Sequence, residues 1–466
     1  MPLSHLKKNQ EGPAETDFLN RVAANEERVA PVAPQPEIDS LRAALAAGGL
    51  SFQNLPVFKR VLLLQGPVGP FFRKFADLLE SRGTHVTKVN FNAGDDWYYP
   101  AGDIIRYCGT SARWPQFLSG LLKRGNYDAI FLFGDCREIH VNAVATAKTR
   151  NIPYWVFEEG YFRPNYITLE KGGVNAHSLL CKYDIARLNL PIPAMLPKPG
   201  HFENPYWNMA RQAFLYFLLL KLGKRRYPYY IHHKPATFKE ALTWVRSSIR
   251  KFYYRYSEAS LKRVILSPER SKRFFLAPLQ VFNDAQLHAH SDWPDVGSYI
   301  EHVMQSFALH ATDDDWLVFK HHPMDRGHVN YQTAINDLAM QLGLQGRIHY
   351  VHDAHLPSLL DHAKGVVTIN STVGLQAMFH RAPVIALGRA FYNQPELTFQ
   401  DGLDAFWQSG WMHDQEYFKR YRKFTILATQ INSSFYADKC VGLAQERRRS
   451  TSLASILKFR NWMSGA

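Results

Sequence analysis

The sequence predicts an α/β protein built from two Rossmann-like domains facing a cleft, with a basic helical insert and a C-terminal helical tail. Three observations lead there. Short apolar runs alternate with segments of helical periodicity in two separate stretches. Glycine-bearing or acidic turns follow several of those runs. An aromatic, basic and turn-poor segment divides the two stretches.

Residues 1–55 are rich in Ala, Pro, Glu and Asn around "APVAPQP" and are expected to form a mobile arm with one short helix over 37–47. Order is expected from "RVLLLQGPVGPFFRKFADLLESRG" onward. Val61 to Leu64 read as a buried strand, and Gly66, Pro67 and Gly69 as its turn. Phe71, Phe72, Phe75, Leu78 and Leu79 follow at helical spacing, and "HVTKVNF" is the next strand. Strand, turn, helix and strand make a βαβ unit, which implies a parallel sheet. "YDAIFLFGD" (Tyr127 to Asp135) and "IPYWVFEEG" (Ile152 to Gly160) are two further strands. Both end in acidic or glycine residues, where ligand crevices of open α/β sheets form. The first domain is assigned to 56–204.

Residues 205–272 read as two or three amphipathic helices rather than α/β alternation. The second domain, 273–395, repeats the alternation through "RFFLAPLQVFND", "WLVFKHHP", "IHYVHD" and "GVVTINSTVGLQAMFHRAPVIALG". The tail, 396–466, carries Arg447 to Arg449 and "LASILKFRNWM" and reads as a basic helix.

A chain of 466 residues has room for two cores. Lysine and arginine number 55 against 41 acids, a formal charge of +14, so anionic partners are favoured. No RRM, KH or helix-turn-helix signature accompanies that charge, so nucleic acid is not expected as the partner. Four cysteines (Cys108, Cys136, Cys181, Cys440) show no CxxC pair and no metal-ligand spacing, as for reduced thiols in a cytosolic protein. The N-terminus lacks a secretory signal's apolar stretch. "AFLYFLLLKL", Ala213 to Leu222, is about half the ~20 residues that span a bilayer. No GxxxxGK[ST] loop or HExxH motif is present.

Four loops after expected strands carry the chemistry. In "FEEG", Glu158 and Glu159 are either a tuned proton-exchanging carboxylate with its support or ordinary ion-pair and cap residues. In "KHHP", Lys320 and His322 with Pro323 can bond and neutralise a phosphate; the alternative is a surface turn. In "INSTVGLQA", Asn370, Ser371, Thr372 and Gly374 open a helix. Free N–H groups and two hydroxyls there can cradle a phosphate, which is compatible with simple N-capping. In "PLQVFNDAQ", Gln280, Asp284 and Gln286 form a polar cluster in which Asp284 is a candidate nucleophile or an Asx-turn residue.

In order, "LLLQGPVGPFF", "VNFNAGD", "FLFGDCREIH", "VFEEGYFRPNYITLEKGGVN", "PLQVFNDAQ", "KHHPMDRG" and "INSTVGLQAMFHRAPVIALGRAFYN" resemble the capsule polysaccharide biosynthesis and export family, KpsS/LipB-like members in particular. The resemblance spans roughly Arg60 to Trp407 and implies a GT-B-like β-Kdo glycosyltransferase. Such an enzyme takes Kdo from CMP-Kdo and places it on a (lyso)phosphatidylglycerol acceptor, beginning a lipid-linked capsule linker. The implied location is cytoplasmic and peripheral on the inner membrane, among capsule biosynthesis and export proteins. Bacterial sialyltransferases carry similar acidic-acidic-Gly, His-Pro and Ser/Thr motifs in this order.

By this resemblance His322, Ser371 and Thr372 hold the CMP phosphate, Glu159 exchanges the proton while Glu158 orients the loop, and Asp284 is the covalent nucleophile of a retaining reaction. Neither metal nor other cofactor is expected. Ala285 departs from the pattern, standing where a small polar residue is usual. Arg163 is assigned by its charge to the Kdo carboxylate, and Gly66, Gln280 and Gln286 to substrate contacts. Phe214, Tyr216, Phe217, Lys221, Lys224, Arg225, Arg226 and Tyr229 combine aromatics with cations as an interfacial segment would, or as a core helix with a basic end would. Two alternatives stay open: a non-catalytic assembly or export adaptor, and a transferase of another CMP-linked acidic sugar.

Overall fold

The computed structural model describes residues 35–181, 190–200, 206–232 and 238–437. The arm before residue 35, Cys440 and the basic end of the tail lie outside the described residues. The arm expected to be mobile through residue 55 is packed over its second part. Helix α1 (Gln35–Ala46) brings Leu45 into a core, and Phe52 is fully buried. The Phe52 ring lies 5.8–6.5 Å from those of Phe71, Phe75 and Phe157, an apolar socket that composition alone did not reveal.

The first half carries β1 (Arg60–Leu63), α2 (Phe71–Ser81), β2 (His85–Asn90), α3 (Ala93–Tyr98), β3 (Asp103–Arg106), α4 (Trp114–Gly125), β4 (Ala129–Phe133), α5 (Glu138–Thr149), β5 (Tyr154–Glu159) and β6 (Tyr166–Lys171). The α2 face expected from the sequence is the buried one, and all five residues of β4 are buried, as a strand covered on both sides requires.

The segment between the sheets forms α6 (Tyr206–Leu222), α7 (Phe238–Ser257) and α8 (Ala259–Ile265). The second half continues with β7 (Phe274–Pro278), α9 (Ala285–His290), α10 (Val296–His310), β8 (Trp316–Lys320), α11 (Gln332–Gln341), β9 (Ile348–Val351), α12 (Leu356–His362), β10 (Gly365–Thr368), α13 (Val373–Phe379) and β11 (Val384–Ala386). Helices α14 (Leu403–Phe406) and α15 (Gln415–Thr429) lead to β12 (Gln430–Asn432).

The strand orders are β12-β6-β5-β4-β1-β2-β3 and β11-β10-β7-β8-β9. Each sheet therefore contains the same parallel order, third-second-first-fourth-fifth, which is Rossmann-like in both halves. The order reverses between β1 and β4 and between β7 and β10. Loops leaving those strands bound the two crevices. The tail does not stay with the second half, because β12 crosses back and pairs antiparallel with β6, covering the edge of the first sheet. The halves pack through apolar side chains as well, with Tyr161 stacked 4.1 Å from Phe391.

Candidate active site

Glu158, the next-to-last residue of β5, lies on the same face as Val156, while Phe157 and Glu159 take the other face, the alternation of any strand. The Glu158 carboxyl is pushed up to about 7. Burial is the main cause, and the Glu159 N–H, which bonds Oε1 at 2.9 Å, and Arg137 pull it back only in part. Glu159 uses its carbonyl to accept from the Thr168 hydroxyl, 3.0 Å away.

Asp284 lies in the second half, between β7 and α9. Gln280 donates from Nε2 to Asn370 Oδ1 at 2.9 Å and to Asp284 Oδ2 at 3.4 Å, and its Oε1 accepts from Asn370 N. Gln280 and Asn370, expected to contact substrate and donor, therefore tie the β7 and β10 loops together and hold the nucleophile candidate. Asp325 fixes the same loop by accepting from Phe282 N at 2.8 Å. Burial, with Asp284 adding to it, pushes the Asp325 carboxyl up to about 6. Gln286 lies on α9, the helix that begins directly after Asp284.

Convergence across the cleft shows at Cys136, in the loop after β4. Burial pushes its thiol up, Asp135 adds to this, and both Glu158 and Asp284 lie close enough to contribute. Arg163, held by a bond from Nε to the Gly160 carbonyl at 3.2 Å, acts likewise on His322 of the second half. The motifs at 158–163, 280–284 and 320–325 thus meet although they are far apart in sequence.

His322 caps the short turn Pro323–Asp325, its Nδ1 accepting from Met324 N at 3.2 Å, so Nε2 carries the ring proton. Burial, then Lys320 and the neighbouring arginines, push this imidazole down to about 4, leaving a neutral donor at pH 7. Burial also lowers the Lys320 ammonium to about 8.

The Ser371 hydroxyl accepts from Val373 N at 3.2 Å, and the Thr372 side chain makes no capping bond. Gly374 has a packing reason of its own: a Cβ there would stand 2.3 Å from the Tyr392 hydroxyl. At Gly66 a Cβ would meet the Phe72 ring at 2.7 Å, so this glycine lets the loop lie on α2.

The sequence assigned no role to "VNFNAGDD", yet it builds a buried polar knot under α6. Asn92 Oδ1 caps α3 by accepting from the Gly94 and Asp95 N–H groups. Tyr216, buried rather than interfacial, accepts from Asn92 Nδ2 at 2.7 Å and donates to Asp95 Oδ1 at 3.1 Å. Tyr227 donates to Asp96 at 2.7 Å, and Arg226 lies 4.0 Å from the same carboxylate. Lys88, lowered to about 8 by burial, is held up by Asp95 and Asp96. Phe214, Lys224 and Arg225 remain exposed.

The family model for capsule polysaccharide biosynthesis protein matches residues 128–436. The chain is 41% identical over 382 residues to the capsule polysaccharide export protein KpsS of Escherichia coli, covering 81% of this chain and 97% of that one. It is 41% identical over 388 residues to the capsule polysaccharide modification protein LipB of Neisseria meningitidis serogroup B, covering 81% and 92%. Among solved structures, the β-Kdo 2,7 transferase KpsC of Thermosulfurimonas dismutans aligns with 81% of this chain and 98% of its own, at 12% identity and a TM-score of 0.38.

Proposed function

Because the chain belongs to the capsule polysaccharide biosynthesis protein family, we propose that it is a retaining β-Kdo glycosyltransferase, moving Kdo from CMP-Kdo to a (lyso)phosphatidylglycerol acceptor to start a lipid-linked capsule linker. One observation carries the reading: a carboxyl raised to about 7 and a second carboxylate come from opposite halves, and both act electrostatically on the Cys136 thiol.

In this mechanism the Asp284 carboxylate attacks the anomeric carbon of Kdo as the bond to the CMP phosphate breaks, giving a glycosyl-aspartate. The acceptor hydroxyl then displaces Asp284 and gives its proton to Glu158. A base poised near 7 is half ionised at neutral pH and regains a useful driving force for proton uptake. The expected roles of the two glutamates are reversed in this assignment. The His322 Nε2–H and the Lys320 ammonium offset the charge developing on the departing phosphate, with the Thr372 hydroxyl beside them and no metal in the reaction path. Arg163 pairs with the Kdo carboxylate.

The lipid acceptor is served by the insert. Trp207, Phe214, Leu218 and Leu222 of α6 and Val245, Ile249, Phe252, Tyr253 and Tyr256 of α7 are exposed, among Lys221, Lys224, Arg225, Lys251 and Arg255. That mixture suits a peripheral seat on anionic lipid at the cytoplasmic face. Among the described residues no helix is long and apolar enough to cross a membrane.

The test is CMP release from CMP-Kdo by purified protein with lysophosphatidylglycerol vesicles. Release that is abolished by Asp284→Ala supports the assignment. Full turnover by that variant removes Asp284 from the mechanism, and absence of release by the parent protein favours the adaptor reading.

A further inference from the structure

Beside the two reaction carboxylates, one cluster gathers three different metal-ligand types from both halves of the chain. Asp135 and Cys136 lie in the loop after β4, and His290 is the last residue of α9. We propose that Asp135, Cys136 and His290 bind a zinc-type divalent cation that clamps the two halves together.

Cys136 Sγ is 3.3 Å from Asp135 Oδ1 and 3.3 Å from His290 Nε2, and the three donor atoms all lie within 4.8 Å of one another. Zinc bonds of about 2.0–2.3 Å at tetrahedral angles place neighbouring ligand atoms about 3.3–3.8 Å apart. Two edges of such a tetrahedron are already at the short end of that range. Asp135 and His290 are buried and Cys136 is partly so, as expected of donors enclosed on most sides.

Hydrogen bonding alone leaves the cluster with more acceptors than protons. With its proton on Nδ1, the His290 ring turns the Nε2 lone pair toward the thiol. Asp135 is an acceptor on both oxygens, Oδ1 toward the Cys136 thiol and Oδ2 toward Val174 N–H. The single S–H proton therefore stands between an imidazole lone pair and a carboxylate and satisfies one of them. When a dication enters, the thiol proton leaves to solvent, and thiolate, carboxylate and imidazole all become ligands. One thiolate and one carboxylate balance the two positive charges, so the buried centre is neutral.

The surroundings fit such a centre. His177 Nδ1 lies 3.0 Å from Asp135 Oδ2, and Val174 N donates to the same oxygen at 3.1 Å. Both orient the carboxylate as outer-shell partners of metal ligands do. A thiolate with an imidazole selects a zinc-type ion over magnesium or calcium. The sequence hid this site because two of its donors are adjacent and the third lies 154 positions away.

Cobalt(II), added to the metal-stripped full-length protein, is the probe. One equivalent per chain with a thiolate-to-cobalt charge-transfer band, displaced by zinc, is the expected result. Cys136→Ser should abolish the band, and His290→Ala should weaken binding at least ten-fold. Absence of the band in the parent protein overturns the proposal whatever the variants do. A band that survives Cys136→Ser also overturns it, by placing the cobalt on another thiol such as exposed Cys108 or Cys181. CMP release plays no part in these readouts, so failure of the transferase reading would leave them unchanged.

Discussion

Replacing Glu158 with glutamine should trade activity for stability, in amounts set by one buried carboxyl. Folding raises this group from 4.5 to about 7, chiefly through burial. A shift of ~2.5 units corresponds to about 3 kcal/mol at 1.36 kcal/mol per unit. Glu158 keeps an edge in solvent, so screening reduces this to about 1–2 kcal/mol. Between the two pKa values the folded state binds more protons than the unfolded state, so stability falls as pH rises. The stabilising share is complete below the unfolded value and is lost as pH climbs through about 7. Glutamine has no such slope. Urea unfolding of Glu158→Gln should therefore show about 1–2 kcal/mol more stability, relative to the parent, at pH 8 than at pH 4.5. The buried Glu170 titrates in both proteins and cancels in the difference. Turnover should fall by about 10²–10⁴-fold as the base is lost. A stability difference that does not change with pH would refute the desolvation argument. Full turnover in Glu158→Gln, with loss in Glu159→Gln, would return the proton to Glu159.

Three further outcomes follow from the geometry. His322→Ala removes the neutral Nε2–H donor and should lower kcat/KM for CMP-Kdo by about 10²–10³-fold, measured by CMP release, whereas uncoupled variants would lose little. Tyr216→Phe strips a hydrogen bond from buried Asp95 and from Asn92; it should cost about 1–3 kcal/mol in urea unfolding while leaving the donor KM unchanged. Phe252→Ser with Tyr256→Ser should weaken sedimentation with anionic vesicles at least ten-fold, since each buried aromatic contributes about 1.5–3 kcal/mol; equal binding would place the lipid contact elsewhere.

The parallel sheets were legible because their strands are short apolar runs closed by glycine or acidic turns, as at Val61 to Leu64 and Tyr127 to Asp135. Strand β3 was missed because "DIIR" offers only two apolar residues, and β12 because "QIN" becomes a strand only by pairing with β6. Site loops were visible at strand ends, but the division of labour within them was not. Gln280 and Asn370 looked like ligand contacts until their mutual bond was seen, and Tyr216, which suited an interfacial segment and a core helix alike, is drawn into the core by Asn92 and Asp95. Glu158 and Glu159 are adjacent and identical in type. Both keep part of their surface in solvent, and only the strand's alternation, which points them to opposite faces, separates them.

The central claim is that this chain transfers Kdo from CMP-Kdo to a glycerophospholipid with Asp284 as the covalent relay. Mass spectrometry of lysophosphatidylglycerol incubated with CMP-Kdo and purified protein tests it most directly. The account predicts a lipid heavier by one Kdo residue in the β configuration, absent with Asp284→Ala. An unchanged lipid beside intact CMP-Kdo, or the same product from the Asp284→Ala protein, would contradict it.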